Sequence, residues 1–249
     1  MPKFFLPDAR KYAQGDLIEI RGQDAFHISR TLRIKKGEHV TLTSSDRTDY
    51  EAVLVSSDSE CVTLEVISVS QNSTEPKIKS TLFQALAKGD KMDTIVQKSV
   101  ELGVSEIFPV ESSRCVVQFD SKREEKKIER WQRIAEEAAK QCGRGIIPKV
   151  HPVLTFKEAL AEMLKSDLSF ICYETSLDNN PRALFTKSNF NSVSFFIGPE
   201  GGISPSEIDL AHELGIPDVT LGKLILRTET ASSAVLSMIL YETEFKGIQ

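Results

Sequence analysis

The chain changes rhythm once, and that change limits what it can fold into. From Gly15 to about Ser70, apolar and polar residues alternate with period two in "DLIEI", "EHVTLTS", "YEAVLVS" and "CVTLEVISV", each run bounded by Gly, Asp or Ser. Alternation of this kind puts every second side chain on one buried face, which predicts half-buried strands. Between the first two runs, "DAFHISRTLRIKKG" reads as a short helix opened by Asp24 and followed by a basic turn. Short strands at such close spacing predict a small β-barrel over residues 1–70. The polar, proline-bearing "SQNSTEPK" has no apolar periodicity, so residues 71–78 are predicted to be a linker.

From 79 to 249 the pattern is strand, then helix, repeated. "IKSTLFQALA" and "SEIFPV" read as strands around the helix "KMDTIVQKSVELG", in which Asp90 is a candidate cap and Gly103 the stop. A long helix over about 123–142 carries Ile128, Trp131, Ile134, Ala135, Ala138 and Cys142 at helical spacing, so Trp131 is expected in a core. "TFKE" at 155 and "SPSE" at 204 have the spacing of capping boxes, the second with proline at its first helical position. "LSFICYE", "SVSFFIG" and "VTLG" complete the strands, and a helix from about Glu229 to Phe245 ends the chain. The alternation predicts an α/β domain whose mostly parallel sheet has helices on both faces.

Composition excludes some classes. With 249 residues, 40% hydrophobic and 27% charged, the chain has the make-up of a globular protein, and no apolar stretch reaches the length of a membrane span. "MPKFFLPDAR" has too short an apolar run for a signal peptide, so a cytoplasmic location is expected. The four cysteines form no C-x-x-C pair, so reduced thiols are expected and no metal site is predicted. Cys142 reads as a small helical residue or as a nucleophile. The net charge of −5 argues against a strongly basic nucleic-acid binder. Its distribution is uneven: residues 76–150 carry fifteen basic and eleven acidic groups, whereas 151–249 carry seven and thirteen. A basic middle permits a local phosphate-binding surface.

The chemistry concentrates where strands end. Gly198-Pro199-Glu200-Gly201-Gly202 follows one strand and Gly222 another; with "CYE" at 172–174 they can share a crevice at the carboxyl ends of a parallel sheet. The glycine run matches neither G-x-G-x-x-G nor a P-loop, and also reads as tight turns ahead of a helix. In "LGKLILRTETASSAV", Arg227, Thr228, Glu229 and Thr230 cluster at a helix start. Glu229 can favour the helix dipole and Thr228 or Thr230 can cap, but Arg227 beside Glu229 can also orient a substrate and manage a proton. Leu224, Ile225 and Leu226 with the loop's main-chain amides suit a flat apolar ring.

The motifs "IGPEGGIS", "LGKLILRTETA", "KMDTIVQKSVELGV", "SSRCVVQ" and "RWQRIAEEAAKQCGR", with "HISRTLRIKKGE" nearer the start, stand in the order and spacing of the RsmE family. The chain resembles these 16S ribosomal RNA uridine-N3 methyltransferases of the SPOUT class over nearly its whole length. Lys223 departs from the family's usual proline, which bears on the rigidity of that loop.

The resemblance implies a PUA-like RNA-binding barrel, a SPOUT domain with a C-terminal deep trefoil knot, a homodimer, and S-adenosylmethionine as cofactor. The substrate implied is the decoding-site uridine of 16S rRNA in the small ribosomal subunit. Tyr173, Glu174, Ile197, Gly198, Glu200, Gly201, Gly202, Leu221, Gly222, Leu224, Ile225, Leu226, Thr230 and Ala231 would form the cofactor pocket, with adenine on 221–226 and Glu200 toward the methionine end. Arg227 would stabilise charge on the uracil carbonyls, and Glu229 would orient Arg227 or take the N3 proton. Arg30, Arg33, Lys35, Lys36, Lys88, Lys91, Arg114 and Arg144 are the candidate RNA contacts. The alternatives are methylation of another RNA atom, an RNA-binding assembly factor without catalysis, and a mononucleotide-binding protein.

Overall fold

The computed structural model describes residues 1–6, 10–58, 60–117, 121–175, 179–187 and 190–245, so Gln118 of "SSRCVVQ" lies outside the described residues. The chain divides into two compact units, Met1–Glu75 with Ala139–Ile147, and Pro76–Ala138 with Pro148–Gln249.

In the first unit, strands β1 (Lys3–Phe5), β2 (Leu17–Arg21), β3 (His39–Thr43), β4 (Thr48–Ser57) and β5 (Cys61–Gln71) form one sheet in the order β1-β3-β4-β5-β2. The alternation in the sequence becomes alternating burial along β2, β4 and the first half of β5. β4 pairs with β5 through two register shifts, after Glu51 and after Leu54. Such irregularities add twist, and the sheet curls around a single apolar core, as a PUA-like barrel does. Phe4, Ile18, Leu42, Tyr50, Leu54 and Leu64 are central to that core. β1, which period-two alternation did not mark, pairs in parallel with β3.

The expected helix start at Asp24 is corrected. α1 (Gln23–Phe26) is capped by Gly22, whose φ of 72° suits glycine, with no side-chain cap. The Asp24 carboxylate instead accepts a hydrogen bond from Lys140 Nζ at 2.9 Å. A π-helical turn, His27–Thr31, leads into the basic turn, where Arg33 takes a left-handed φ of 53°.

The second unit holds a seven-stranded parallel sheet. Its strands are β6 (Lys79–Ala85), β7 (Glu106–Glu111), β8 (Lys149–Val150), β9 (Leu154–Thr155), β10 (Leu168–Cys172), β11 (Ser192–Ile197) and β12 (Asp218–Val219). The order is β12-β10-β11-β6-β7-β8, with β9 also on β7. β6 and β11 are buried on both faces, which explains their unbroken apolar runs. The helices are α2 (Lys91–Glu101), α3 (Ser121–Cys142), α4 (Phe156–Met163), α5 (Pro181–Lys187), α6 (Pro205–Glu213) and α7 (Thr228–Leu240). Phe83, Ile171 and Phe196 face the apolar residues of α4 and α6. Their chain neighbours point the other way: Phe170 meets Phe185 of α5, and Gln84 bonds Thr228 of α7.

Both predicted capping boxes form, Thr155 with Glu158 and Ser204 with Glu207. Asp90 occupies the cap of α2 without a side-chain hydrogen bond. Trp131 is buried as expected and donates from Nε1 to Asp93 at 3.1 Å. The final helix ends at Leu240 and continues as a π-helical turn, Tyr241–Phe245.

A boundary drawn on chain rhythm omits Ala139–Ile147 from the first unit; Glu75 accounts for its membership. The Glu75 carboxylate accepts from Arg144 Nη2 at 2.7 Å and Nε at 3.0 Å, and from the N–H groups of Gly145 and Ile146. Burial raises the Glu75 carboxyl, but Arg144 and the two amides more than offset that and hold it below its ordinary value. With a depressed folded value, Glu75 contributes stability above the unfolded value of about 4.3 and loses it as pH falls through the folded one. Arg144→Met, which leaves a buried carboxylate without its cation, is expected to cost about 3–5 kcal/mol at neutral pH. Urea unfolding checks this, and the deficit should shrink as pH falls through the depressed folded value of Glu75, below which the carboxyl is protonated folded and unfolded alike.

Candidate active site

The turns after β10, β11 and β12 enclose a cavity of about 390 Å³ at the carboxyl ends of the sheet. Most residues expected there do line it. Tyr173 and Glu174 follow β10; Ile197, Gly198, Glu200 and Gly202 close β11 and its turn. Leu221, Gly222, Leu224, Ile225 and Leu226 supply the third wall, with Arg227 and Ala231 from the start of α7. Gly201, Glu229 and Thr230 are not among the lining residues, whereas Lys91, Cys172 and Thr228 are.

The glycines of "GPEGG" serve the turn's own packing. A Cβ on Gly198 would stand 2.8 Å from Ile203 Cγ1. Gly202 has a φ of 72°, and a Cβ there would strike the carboxylate of Glu174. Gly201 lies against Arg114, whose Nη1 donates to the Gly201 carbonyl at 3.1 Å.

The third wall is held at its two ends. Thr220 Oγ1 donates to the Gly222 carbonyl and accepts from the Gly222 N–H, both at 3.1 Å. Thr228 Oγ1 donates to the Gly198 carbonyl at 2.8 Å and accepts from Gln84 Nε2 at 2.9 Å. Thr228 therefore ties α7 to the β11 turn instead of capping its own helix, which has Arg227 at its cap. Between these anchors, the N–H groups of Leu224, Ile225 and Leu226 make no hydrogen bond among the described residues. Leu224 and Ile225 are 81% and 84% exposed, so the wall offers free donors beside apolar side chains.

The charged groups are arranged differently from the expected Arg227–Glu229 pairing: no ion pair or hydrogen bond joins those two side chains among the described residues. The exposed Arg227 guanidinium stands at the cavity. Among the described residues, Glu229 Oε2 is enclosed without a hydrogen-bond partner, and Lys91 Nζ is 3.9 Å away. Lys91 instead donates to Glu200 Oε1 at 2.8 Å, which also accepts from the Lys88 N–H at 3.1 Å. Burial raises the Glu200 carboxyl, but these bonds prevail and hold it below its ordinary value. Burial pushes the Cys172 thiol up, so it stays protonated and is no nucleophile.

Of the expected RNA contacts, Arg30, Arg33, Lys35 and Lys36 are exposed around the basic turn of the first unit. Lys88 and Arg114 are exposed in the second. Arg144 is corrected: its side chain is 4% exposed and spent on Glu75, out of reach of a phosphate. Among the described residues, no group of three or more His, Cys, Asp or Glu could hold a metal, and no helix is long and apolar enough to cross a membrane.

Residues 74–240 match the RNA methyltransferase domain family. Ribosomal RNA small subunit methyltransferase E of Bacillus subtilis is 32% identical over 250 residues, covering 98% of each chain. The chain belongs to that family. The Mesomycoplasma hyopneumoniae member is 36% identical over 173 residues, 70% of this chain and 74% of that one. Among solved structures, the Neisseria gonorrhoeae member bound to S-adenosylmethionine has a TM-score of 0.87 at 33% identity, covering 96% of this chain and 97% of that one. A Legionella pneumophila methyltransferase in complex with S-adenosylmethionine has a TM-score of 0.85 at 32% identity, covering 96% of each.

The sequence did carry a signal for Gln84, a lone amide inside the apolar strand "TLFQALA", but its partner Thr228 stands 144 residues away. Thr228→Val keeps the side chain's shape and leaves the Gly198 carbonyl and one Gln84 donor without their partner. We expect a loss of about 1–3 kcal/mol in urea unfolding.

Proposed function

We propose that this chain is an S-adenosylmethionine-dependent methyltransferase of 16S rRNA in the small ribosomal subunit, and that the atom modified is N3 of the decoding-site uridine. The activity follows the family; the atom follows the resemblance in "LRTETA" and "GPEGG". One observation supports the site above others: a cavity at the ends of three parallel strands joins free main-chain donors to exposed apolar side chains and an exposed arginine.

The residues fit the cofactor. The cavity of about 390 Å³ falls within the size range of small-molecule sites. The N–H groups of Leu224 to Leu226 suit the edge nitrogens of adenine, while Leu224 and Ile225 supply apolar contact. Glu200, kept ionised by Lys91 and Lys88, suits a cationic group. When bound, the cofactor supplies an electrophilic methyl group on a sulfonium.

Neutral uridine N3 has no lone pair available for attack, so its proton must leave and negative charge must spread onto the carbonyl oxygens. Arg227 is assigned to stabilise that charge, because its guanidinium is exposed at the cavity and engaged by no other side chain among the described residues. Glu229 is assigned to Lys91, the cation nearest its enclosed oxygen, and not to Arg227. The basic turn with Arg30, Arg33, Lys35 and Lys36, together with Lys88 and Arg114, would meet RNA phosphates. The same reading includes a homodimer and a C-terminal trefoil knot, both implied by the family resemblance.

The test is calorimetric titration with S-adenosylmethionine, then incubation with small subunits lacking the mark and nucleoside mass spectrometry. Saturable binding and new N3-methyluridine are expected; a different methylated nucleoside would overturn the atom, and no binding would overturn the site. Arg227→Ala should bind cofactor normally while turnover falls by roughly 10²–10³-fold. Unchanged turnover would remove Arg227 from the mechanism.

A further inference from the structure

Lys91 opens α2, a position where the helix dipole disfavours a cation. Two carboxylates from distant parts of the chain offset this. Its ammonium lies 2.8 Å from Glu200 Oε1 and 3.9 Å from Glu229 Oε2, and only the first contact is a hydrogen bond. The two acids are unequally served. Glu200 also has the Lys88 N–H, whereas Glu229 Oε2 is enclosed with no donor among the described residues. A buried acceptor without a partner is costly, so an ammonium moving toward Glu229 is favoured once its hold on Glu200 weakens. Lys91 and Glu200 line the cavity; Glu229 stands behind it.

We propose that Lys91 is a resident cation that competes with the positive charge of a ligand for Glu200, and that yields by moving about 1 Å, the difference between its two distances, toward Glu229. The inference rests on the functional reading above and deepens it: Lys91, expected from the sequence to meet RNA, becomes a positioning residue for the cationic cofactor. The exchange leaves no charge stranded. Glu200 passes from one cation to another, and Glu229 gains the donor it lacks. Because the Lys91 side chain is 32% exposed, its hold on Glu200 is weak enough for a ligand to displace.

The competition predicts a selective effect. Lys91→Met removes the resident cation with little change in side-chain length, and Lys91→Arg keeps it. Affinities for S-adenosylmethionine and for 5′-methylthioadenosine, which lacks the sulfonium and the amino-acid group, would be measured by calorimetry on all three proteins. Circular dichroism would confirm that each is folded. In Lys91→Met, preference for the cationic ligand should rise on the order of three- to tenfold, the scale of one partly exposed ion pair, while affinity for the neutral nucleoside stays unchanged. Lys91→Arg should keep the wild-type preference. An unchanged or reduced preference in Lys91→Met would overturn the proposal, a reduction meaning that Lys91 contacts the ligand's carboxylate. If the wild type binds neither nucleoside, the functional reading fails first, which is distinguishable from a failure confined to the variant.

Discussion

A single hydroxyl gathers the parts of the catalytic unit that lie far apart in the chain. Thr228 Oγ1 receives its hydrogen bond from Gln84 on β6 and gives its own to the carbonyl of Gly198 in the turn after β11. Gln84 is fully buried, and its Nε2 also reaches the carbonyls of Ala85 at 3.0 Å and Ile197 at 3.5 Å. The start of α7 is thereby registered against the strand ends that form the cavity floor. Because Arg227 precedes Thr228 and Glu229 follows it, the position of both charged groups depends on a neutral bond. In a low-dielectric interior such a bond is specific as well as strong, since a shifted helix would leave several polar atoms without partners.

The electrostatics are built on that frame. Lys91, Glu200 and Glu229 come from α2, the β11 turn and α7, the same neighbourhood the hydroxyl organises. One ammonium beside two carboxylates leaves a net negative charge behind an exposed arginine. On the function proposed above, the arrangement suits a site that accepts a cation and stabilises developing anionic charge. Glu200 in the turn after β11 serves the first demand and Arg227 at the start of α7 the second.

Much of this was legible in the sequence, for physical reasons. Period-two runs became alternately buried strands, and both capping boxes formed because they are local, with each partner three residues from the other. "GPEGG" marked a turn of close approaches, although the groups approaching Gly198 and Gly202 are the chain's own Ile203 and Glu174. Short pairings left little trace: β8 and β9 went unmarked and "VTLG" met β12 only at Val219, because two residues are too few for any period and these strands exist where the sheet offers them partners. Charge was the least legible property. Arg144 and Lys91 both looked like surface cations, and only Glu75, 69 residues from the first, and Glu200, 109 from the second, decide otherwise.

Lys223 shows how the site meets a constraint without the residue its relatives use for it. A proline there would fix φ and remove an N–H, stiffening the loop from within. Lys223 does neither, and its N–H has no partner among the described residues. The loop is stiffened at its ends instead, by the paired bonds of Thr220 to Gly222 on one side and by Thr228 on the other. Five residues between two anchors, Lys223 to Arg227, have limited freedom, because closure of a short segment already excludes most conformations. The absence of proline bears on the middle of the loop, beside Leu224 and Ile225, whose apolar side chains stand exposed. A wall anchored at both ends holds Leu224 and Ile225 between two fixed points, with Arg227 directly beside the Thr228 anchor.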